Sequence, residues 1–332
     1  MESIRGQKIV ILDKESWSDG VLDMRKENLF FPGGQRTERF AIITRPGKED
    51  EKYIIVEDGD RVEIQDYSPE LYDLMTARNL CSGYQVNPQN GRMGIVIHFK
   101  KGKDGYTITN LSRFILMFYR SFGKYIRQSG AEKRFAHDIK KLSKNMGKRI
   151  DCGHVNGDSW NNCMHNIMPM ARSANVEMGR LIQFFRGAYS AFAVTDVIDG
   201  KNIILIELCS AGKQKYYLCQ NEFDYLDLQK VLLGKTPLLK HLQMTEFNDN
   251  AARKINTPKE ALEEFGKPEK EQFSLDSFWK WCDKRDNLLT QYSSNPEKFI
   301  VWKKEGEKGM SIEGVVNKVF PVLLSRYLTQ ME

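Results

Sequence analysis

Short apolar runs separated by turn signals fill residues 1–90: KIVIL, RFAIIT, KYIIVED and RVEIQD, broken by FPGGQ, RPGKEDE and EDGD. Runs of this length bounded by Gly, Pro and Asp predict strands joined by loops. In SPELYDLMTARNL the period changes, and Ser68 as N-cap, Pro69 at the first helical position and Glu70 in the first turn predict a short helix. MGIVIHF and YTIT, joined through KKGKDG, predict two more strands, followed by a helix from near Asn110. Leu111, Phe114, Ile115, Phe118 and Phe122 form its apolar stripe, which leaves Arg113, Arg120 and Lys124 for the other side.

AEKRFAHDIKKLSKN predicts a helix up to Gly147. KRIDCGHV then reads as a strand ending at His154, NGDSWNNCMHN as a long polar turn, and IMPM as a short strand. SANVEMGRLIQFFRGAY follows as a helix capped by Ser173. NIILIELC and KQKYYLCQ around SAGK predict a hairpin, and EFDYLDLQKVLLG a helix ending at Gly234. Beyond residue 245 the pattern turns helical in TPKEALEEFG, SLDSFWKWCDKRDNLLTQY and GVVNKVFPVLLSRYLTQ, with NDNAARKIN and GKPEKEQF as linkers. The fold class expected is α+β and multidomain. It comprises a strand-rich region 1–90, a central module 91–190 with a basic helical insertion at about 123–148, and a region 191–332 made of a hairpin plus helices.

Composition, apolar run length, cysteine usage and charge add further constraints. The 332 residues are 41% hydrophobic and 28% charged, the profile of a folded globular chain. No apolar run approaches the length of a membrane span and the N-terminus does not read as a signal peptide, so a cytoplasmic protein without membrane attachment is expected. Six cysteines without a C-x-x-C pair suggest reduced structural thiols, not a disulfide framework or zinc ribbon. Charge is uneven: between Arg120 and Arg149 ten Lys/Arg face only Glu132 and Asp138, more net positive charge than the +6 of the whole chain. A stretch of this kind is a footprint for polyanions or else a solvated helix face.

The chemistry-bearing stretch is GHVNGDSWNNCMHNIMPMARSAN, residues 153–175. It resembles the ββα-metal motif of HNH endonucleases in the His-Asn-Asn form of phage and homing-type enzymes. His154, Asn156, Gly157, Asp158, Asn162, Asn166, Ser173 and Asn175 fall in the register of that motif without insertion or deletion. The likeness extends over residues 92 to about 185, with the basic helix as an insertion.

The resemblance implies a central HNH-like module that hydrolyses phosphodiester bonds of DNA, most naturally double-stranded, with one divalent ion, Mg2+ or Mn2+. His154 would be the general base, Asn166 would hold the loop and orient that histidine, and Asn175 would supply an oxygen to the metal. Where the motif calls for a second metal ligand, an aspartate, the chain has Gly153. Asp151, on the same side of the strand, or Asp158 in the turn would have to stand in. Lys140, Lys141, Lys144, Lys148, Arg149 and Arg172 are the residues expected to meet phosphates. The other reading of the same residues is a catalytically decayed HNH scaffold, a nucleic-acid-binding or regulatory protein of a phage or mobile element. A third reading is a phage or mobile-element protein whose terminal regions recruit a protein partner, with DNA incidental.

Overall fold

The computed structural model describes residues 39–58, 61–76, 81–86, 92–98, 106–121, 150–185, 190–210, 213–235 and 273–303, together with short strands near the N-terminus. The fold is α+β. The first elements are β1 (Glu2–Ile4), β2 (Gln7–Ile9), β3 (Ile11–Leu12), β4 (Trp17–Ser18) and β5 (Val21–Leu22). Next come β6 (Arg39–Arg45), β7 (Lys48–Asp58), β8 (Arg61–Asp66), α1 (Pro69–Thr76), β9 (Cys81–Val86), β10 (Met93–His98), β11 (Tyr106–Asn110) and α2 (Leu111–Ser121). The strand β12 (Ile150–His154), strand β13 (Ile167–Ala171) and helix α3 (Arg172–Phe185) follow. After them lie β14 (Ser190–Ile198), β15 (Lys201–Ser210), β16 (Lys213–Cys219), α4 (Glu222–Lys235), α5 (Leu275–Ser294) and β17 (Phe299–Trp302).

Two compact units divide the chain. The first takes residues 1–154, 158–168 and 272–283, and the second takes 155–157, 169–271 and 284–332. In the first unit, a sheet of order β3-β6-β7-β8 carries the core. Phe40–Ile43 and Tyr53–Val56 are buried without a break, because both sheet faces are covered. Phe40 meets Tyr72 of α1 and Tyr84 of β9 edge-on, whereas Tyr53 meets Phe278 of α5 at 4.8 Å. A second sheet, β11-β10-β9, is covered by α2, on which Leu111, Phe114 and Ile115 are buried as the stripe predicts. Ser68 caps α1 as expected, its Oγ accepting from the Leu71 N–H at 3.1 Å.

In the second unit the predicted hairpin β15–β16 is the middle of a larger sheet, of order β14-β15-β16-β17. The β14 strand joins β15 through Asp199 (φ 51°) and Gly200 (φ 75°), the left-handed pair of a tight hairpin turn. Parallel pairing of β17 with β16 closes the other edge. The core of this unit is apolar: Val194, Ile203, Leu205 and Leu218 pack with Leu288 of α5 and Phe299. The region beyond residue 190 is therefore built on a four-stranded sheet as well as on helices, which differs from the hairpin-plus-helix expectation.

The central motif has its expected element order. Strand β12 ends at His154, β13 pairs with it in a two-stranded sheet, and α3 follows directly. Helix α3 begins at Arg172, so Ser173 lies inside its first turn instead of capping it. Pro169 sits within β13, a position open to proline because a strand in a two-stranded sheet has a free edge. The helices expected at AEKRFAHDIKKLSKN, TPKEALEEFG and GVVNKVFPVLLSRYLTQ lie outside the described residues. Among the described residues no helix is long and apolar enough to cross a membrane.

Candidate active site

An open sheet edge positions the loop that carries the polar residues. Strand β8 is the last strand of its sheet, so the outward amide and carbonyl of Ile64 need partners. The loop supplies them: the Ile64 N–H donates to the Trp160 carbonyl and the Asn162 N–H donates to the Ile64 carbonyl, both at 2.8 Å. Side chains extend this seam. Arg61 donates to the carbonyl and hydroxyl oxygens of Ser159 at 2.7 and 3.0 Å, and Asp66 Oδ2 accepts from the Met164 N–H at 2.7 Å. Trp160 anchors the loop's other side, buried edge-on against Phe273 and Phe278.

Within the loop the asparagines divide their work. Asn166 donates from Nδ2 to the Asn161 carbonyl at 2.8 Å, and its N–H donates to the Cys163 carbonyl, so it braces the turn. The histidine's hydrogen bond goes to Asn162: Nε2 of His154 lies 3.0 Å from Asn162 Oδ1. Asn162 in turn donates from Nδ2 to Glu63 Oε2 at 2.8 Å. Glu63 Oε1 accepts from Arg61 Nε at 2.9 Å and from the Met93 N–H at 3.2 Å. The orienting contact expected of Asn166 is thus made by Asn162. Glu63, Asn162 and Asn166 are all buried.

This network determines the state of the imidazole. A carboxylate can only accept, so Asn162 must turn its NH2 to Glu63 and its carbonyl oxygen to His154. Nε2 then carries the ring proton and donates, and Nδ1 holds the lone pair. Burial pushes the His154 pKa down to about 4, with Arg92 and Arg61 pushing the same way and the Asn162 bond and Asp151 opposing them. The ring is neutral at physiological pH, with one accepting nitrogen.

Asp151, expected as a stand-in metal ligand, is paired with Arg113 of α2. Its Oδ1 accepts from Arg113 Nη2 at 2.7 Å and Nε at 3.1 Å, and from the Cys152 N–H at 3.1 Å. Burial raises this carboxyl's pKa, but the charge and hydrogen bonds of Arg113, aided by Arg92, outweigh it and hold it below its usual value. Arg113, which the helical period leaves on the side of α2 opposite its apolar stripe, is tied to the strand by this pair. Cys152 is buried and its thiol is pushed up to about 12, so it supplies no thiolate.

The second unit holds the rest of the motif. The Asn156-Gly157 turn follows His154 after Val155, and Gly157 has φ 83°. A Cβ there would meet Ile182 of α3 at 2.4 Å, so only glycine fits. Tyr225 of α4 donates from its hydroxyl to the Val155 carbonyl at 3.1 Å. Glu222, also buried, accepts from the Ala171 N–H at 3.4 Å. Burial raises the Glu222 pKa to about 6, against the backbone hydrogen bonds it accepts. Asn175 lies on α3, half-buried, and Arg172 is exposed at the start of that helix. Lys140, Lys141, Lys144, Lys148 and Arg149 lie outside the described residues.

The donor set can be weighed against the divalent ion that the resemblance implies. Hard cations take oxygen ligands and gain most from carboxylates. Position 153 is glycine, Asp151 is neutralised by Arg113, and the described residues contain no group of three or more His, Cys, Asp or Glu able to hold a metal. The residues present do not fit a carboxylate-bound ion. In comparisons with known proteins, no family model, no curated protein and no solved structure matches the chain.

Proposed function

We propose that this chain is an HNH-type endonuclease that hydrolyses DNA phosphodiester bonds with His154 as general base. The observation that supports this reading best is the 3.0 Å contact of Nε2 with Asn162 Oδ1 made by a buried histidine at the end of the first strand of a strand-loop-strand-helix motif. Its Nε2–H is held by Asn162, and Nδ1 makes no hydrogen bond among the described residues. In hydrolysis, a water beside Nδ1 gives up a proton to the ring as its oxygen attacks phosphorus, while the bond from phosphorus to the 3′-oxygen breaks and that oxygen leaves, taking a proton from solvent. The ring becomes an imidazolium whose Nε2–H still points at Asn162, and the Glu63 carboxylate behind Asn162 favours that positive charge. Lys140, Lys141, Lys144, Lys148, Arg149 and Arg172 would hold the duplex by its phosphates, without reading its sequence. Mg2+ or Mn2+ stays part of the proposal only as a requirement to be measured, with Asn175 and Asp151 as the residues that the resemblance offers for it. Among the described residues, no unpaired carboxylate of the motif stands ready for the ion.

One observation favours a second reading. With glycine at the ligand position and Asp151 paired to Arg113, the scaffold could be a decayed nuclease that binds nucleic acid in a regulatory or assembly role. The two readings part on supercoiled plasmid, incubated with wild-type and His154→Ala protein in Mg2+, in Mn2+ and with a chelator. The nuclease reading expects nicking or linearisation by wild type and a fall of roughly 10²–10⁴-fold in the variant. Equal inactivity of both proteins, with salt-dependent gel retardation retained, selects the binding reading.

A further inference from the structure

We infer that Glu63 is a positioning residue that sets the tautomer of His154 through the side-chain amide of Asn162. Its catalytic meaning rests on the nuclease reading above, but the tautomer itself can be observed without cleavage. Glu63 belongs to β8, in the strand-rich N-terminal region and outside residues 92–185, the stretch that carries the motif likeness.

The inference follows from counting donors. Three donors converge on the Glu63 carboxylate: Arg61 Nε and the Met93 N–H on Oε1, and Asn162 Nδ2 on Oε2. The first two cannot reverse, since a guanidinium and a backbone amide only donate. Asn162 is the one reversible member, because rotating its amide by half a turn exchanges its oxygen and nitrogen. While position 63 is a carboxylate, Asn162 must donate to it and accept from His154. The ring proton therefore stays on Nε2, and Nδ1 stays able to take a proton from water.

Replacing that carboxylate by the isosteric amide should reverse the relay. In Glu63→Gln, the new side chain places its oxygen toward Arg61 and Met93, where two donors wait, and its NH2 toward Asn162. Asn162 then turns to accept from position 63 and presents its own NH2 to His154. Nε2 becomes an acceptor, and the neutral ring carries its proton on Nδ1, the nitrogen required as base. Glu63→Gln combined with Asn162→Asp restores the original sense. The glutamine NH2 donates to one aspartate oxygen, the other accepts from His154 Nε2–H, and the number of carboxylates is unchanged.

The test is nitrogen NMR of the full chain with labelled histidine, at alkaline pH where the ring is neutral, with the His154 signal assigned by its loss in His154→Gln. We expect a proton on Nε2 in wild type, on Nδ1 in Glu63→Gln, and on Nε2 again in the double variant. Plasmid cleavage should follow the same order, with kcat lower by roughly 10²–10⁴-fold in Glu63→Gln at little change in KM, and recovery in the double variant. A folded Glu63→Gln protein that keeps the proton on Nε2 overturns the inference. So does a wild-type ring protonated on Nδ1, which decides the matter even if Glu63→Gln fails to fold. Inversion and restoration of the tautomer in a protein that never cuts DNA would leave the relay standing and the nuclease reading refuted. Cleavage by wild type without any change of tautomer would do the opposite.

Discussion

The seam between β8 and the 158–166 loop and the four-stranded sheet of the second unit are held by different forces. The seam is polar: backbone bonds at Ile64, the Arg61–Glu63 ion pair at 2.9 Å, and Asn162, Ser159 and Met164 bonded to side chains of the strand. The sheet's core is Val194, Ile203, Leu205, Leu218, Leu288 and Phe299, all apolar. An apolar core tolerates small shifts because dispersion and hydrophobic burial have little direction. A buried polar network depends on every member being satisfied, and it fixes one arrangement of donors and acceptors. The seam of the first unit therefore holds the His154 ring by directed hydrogen bonds, and the sheet of the second unit gains its stability from buried area.

The largest effect should come from removing the carboxylate of the seam. Glu63→Ala leaves Arg61, Asn162 and the Met93 amide without their acceptor and should cost about 3–5 kcal/mol by denaturant unfolding, the range for breaking one side of a buried ion pair. A cost below about 1 kcal/mol would mean that the seam is not held by this group. Next, Leu288→Ala in the apolar core should cost about 3 kcal/mol. Hydrogen exchange should then accelerate in β14–β17 and stay unchanged at Ile64 and Asn162. Faster exchange at the seam would erase the contrast.

Acid should act on the two units with opposite signs. The His154 pKa is about 4 in the fold against 6.5 for a free histidine, so between these values the unfolded chain binds the extra proton. A stabilisation on the order of 3 kcal/mol, complete above about 6.5, is therefore lost as pH falls toward 4. Glu222 is raised to about 6 from 4.5, so the fold holds the extra proton. Its contribution, on the order of 2 kcal/mol, is present below 4.5 and lost as pH rises through 6. Unfolding curves in this pH window for His154→Gln and Glu222→Gln should each remove one slope. The smallest effect is that of Gly200→Ala: nothing lies within 4 Å of the new Cβ, so only the φ of 75° opposes it, at about 1 kcal/mol in a thermal melt.

Much of the local architecture was legible in the sequence, and the reasons are local. Ser68-Pro69-Glu70 announces a helix start, the stripe on α2 announces its buried face, and β12 ends at the histidine that the pattern selects. Strand β14 was missed because Ser, Ala, Thr and Asp dilute the apolar signal of SAFAVTDVI, although Asp199-Gly200 is a hairpin turn signal. Strand β17 joins its sheet in parallel from about eighty residues away, which no local period announces.

The site was legible as a register and not as a network. RVEIQD alternates polar and apolar residues as any half-solvated strand does, and a glutamate in such a strand reads the same whether it faces water or Asn162. Its partner is 99 residues downstream. Arg113 had no partner in the sequence for the same reason, since the helical period says which face is polar but not that Asp151 waits there. Asn162 was in register but carried no role until its neighbours were placed.

The distance between strand and loop also bears on the order of events as the chain folds. Closing a contact between Ile64 and Asn161 costs loop entropy that local elements do not have to meet, so the seam belongs to a late stage. The β6–β7 hairpin, whose strands are sequence neighbours, is ready earlier and presents β8 as an edge to be filled. A fragment starting at residue 92 would retain His154 and every asparagine of the motif, yet it would lack the edge on which they settle. Such a fragment lacks the Glu63 carboxylate, and nothing in it tells the amide of Asn162 which way to turn.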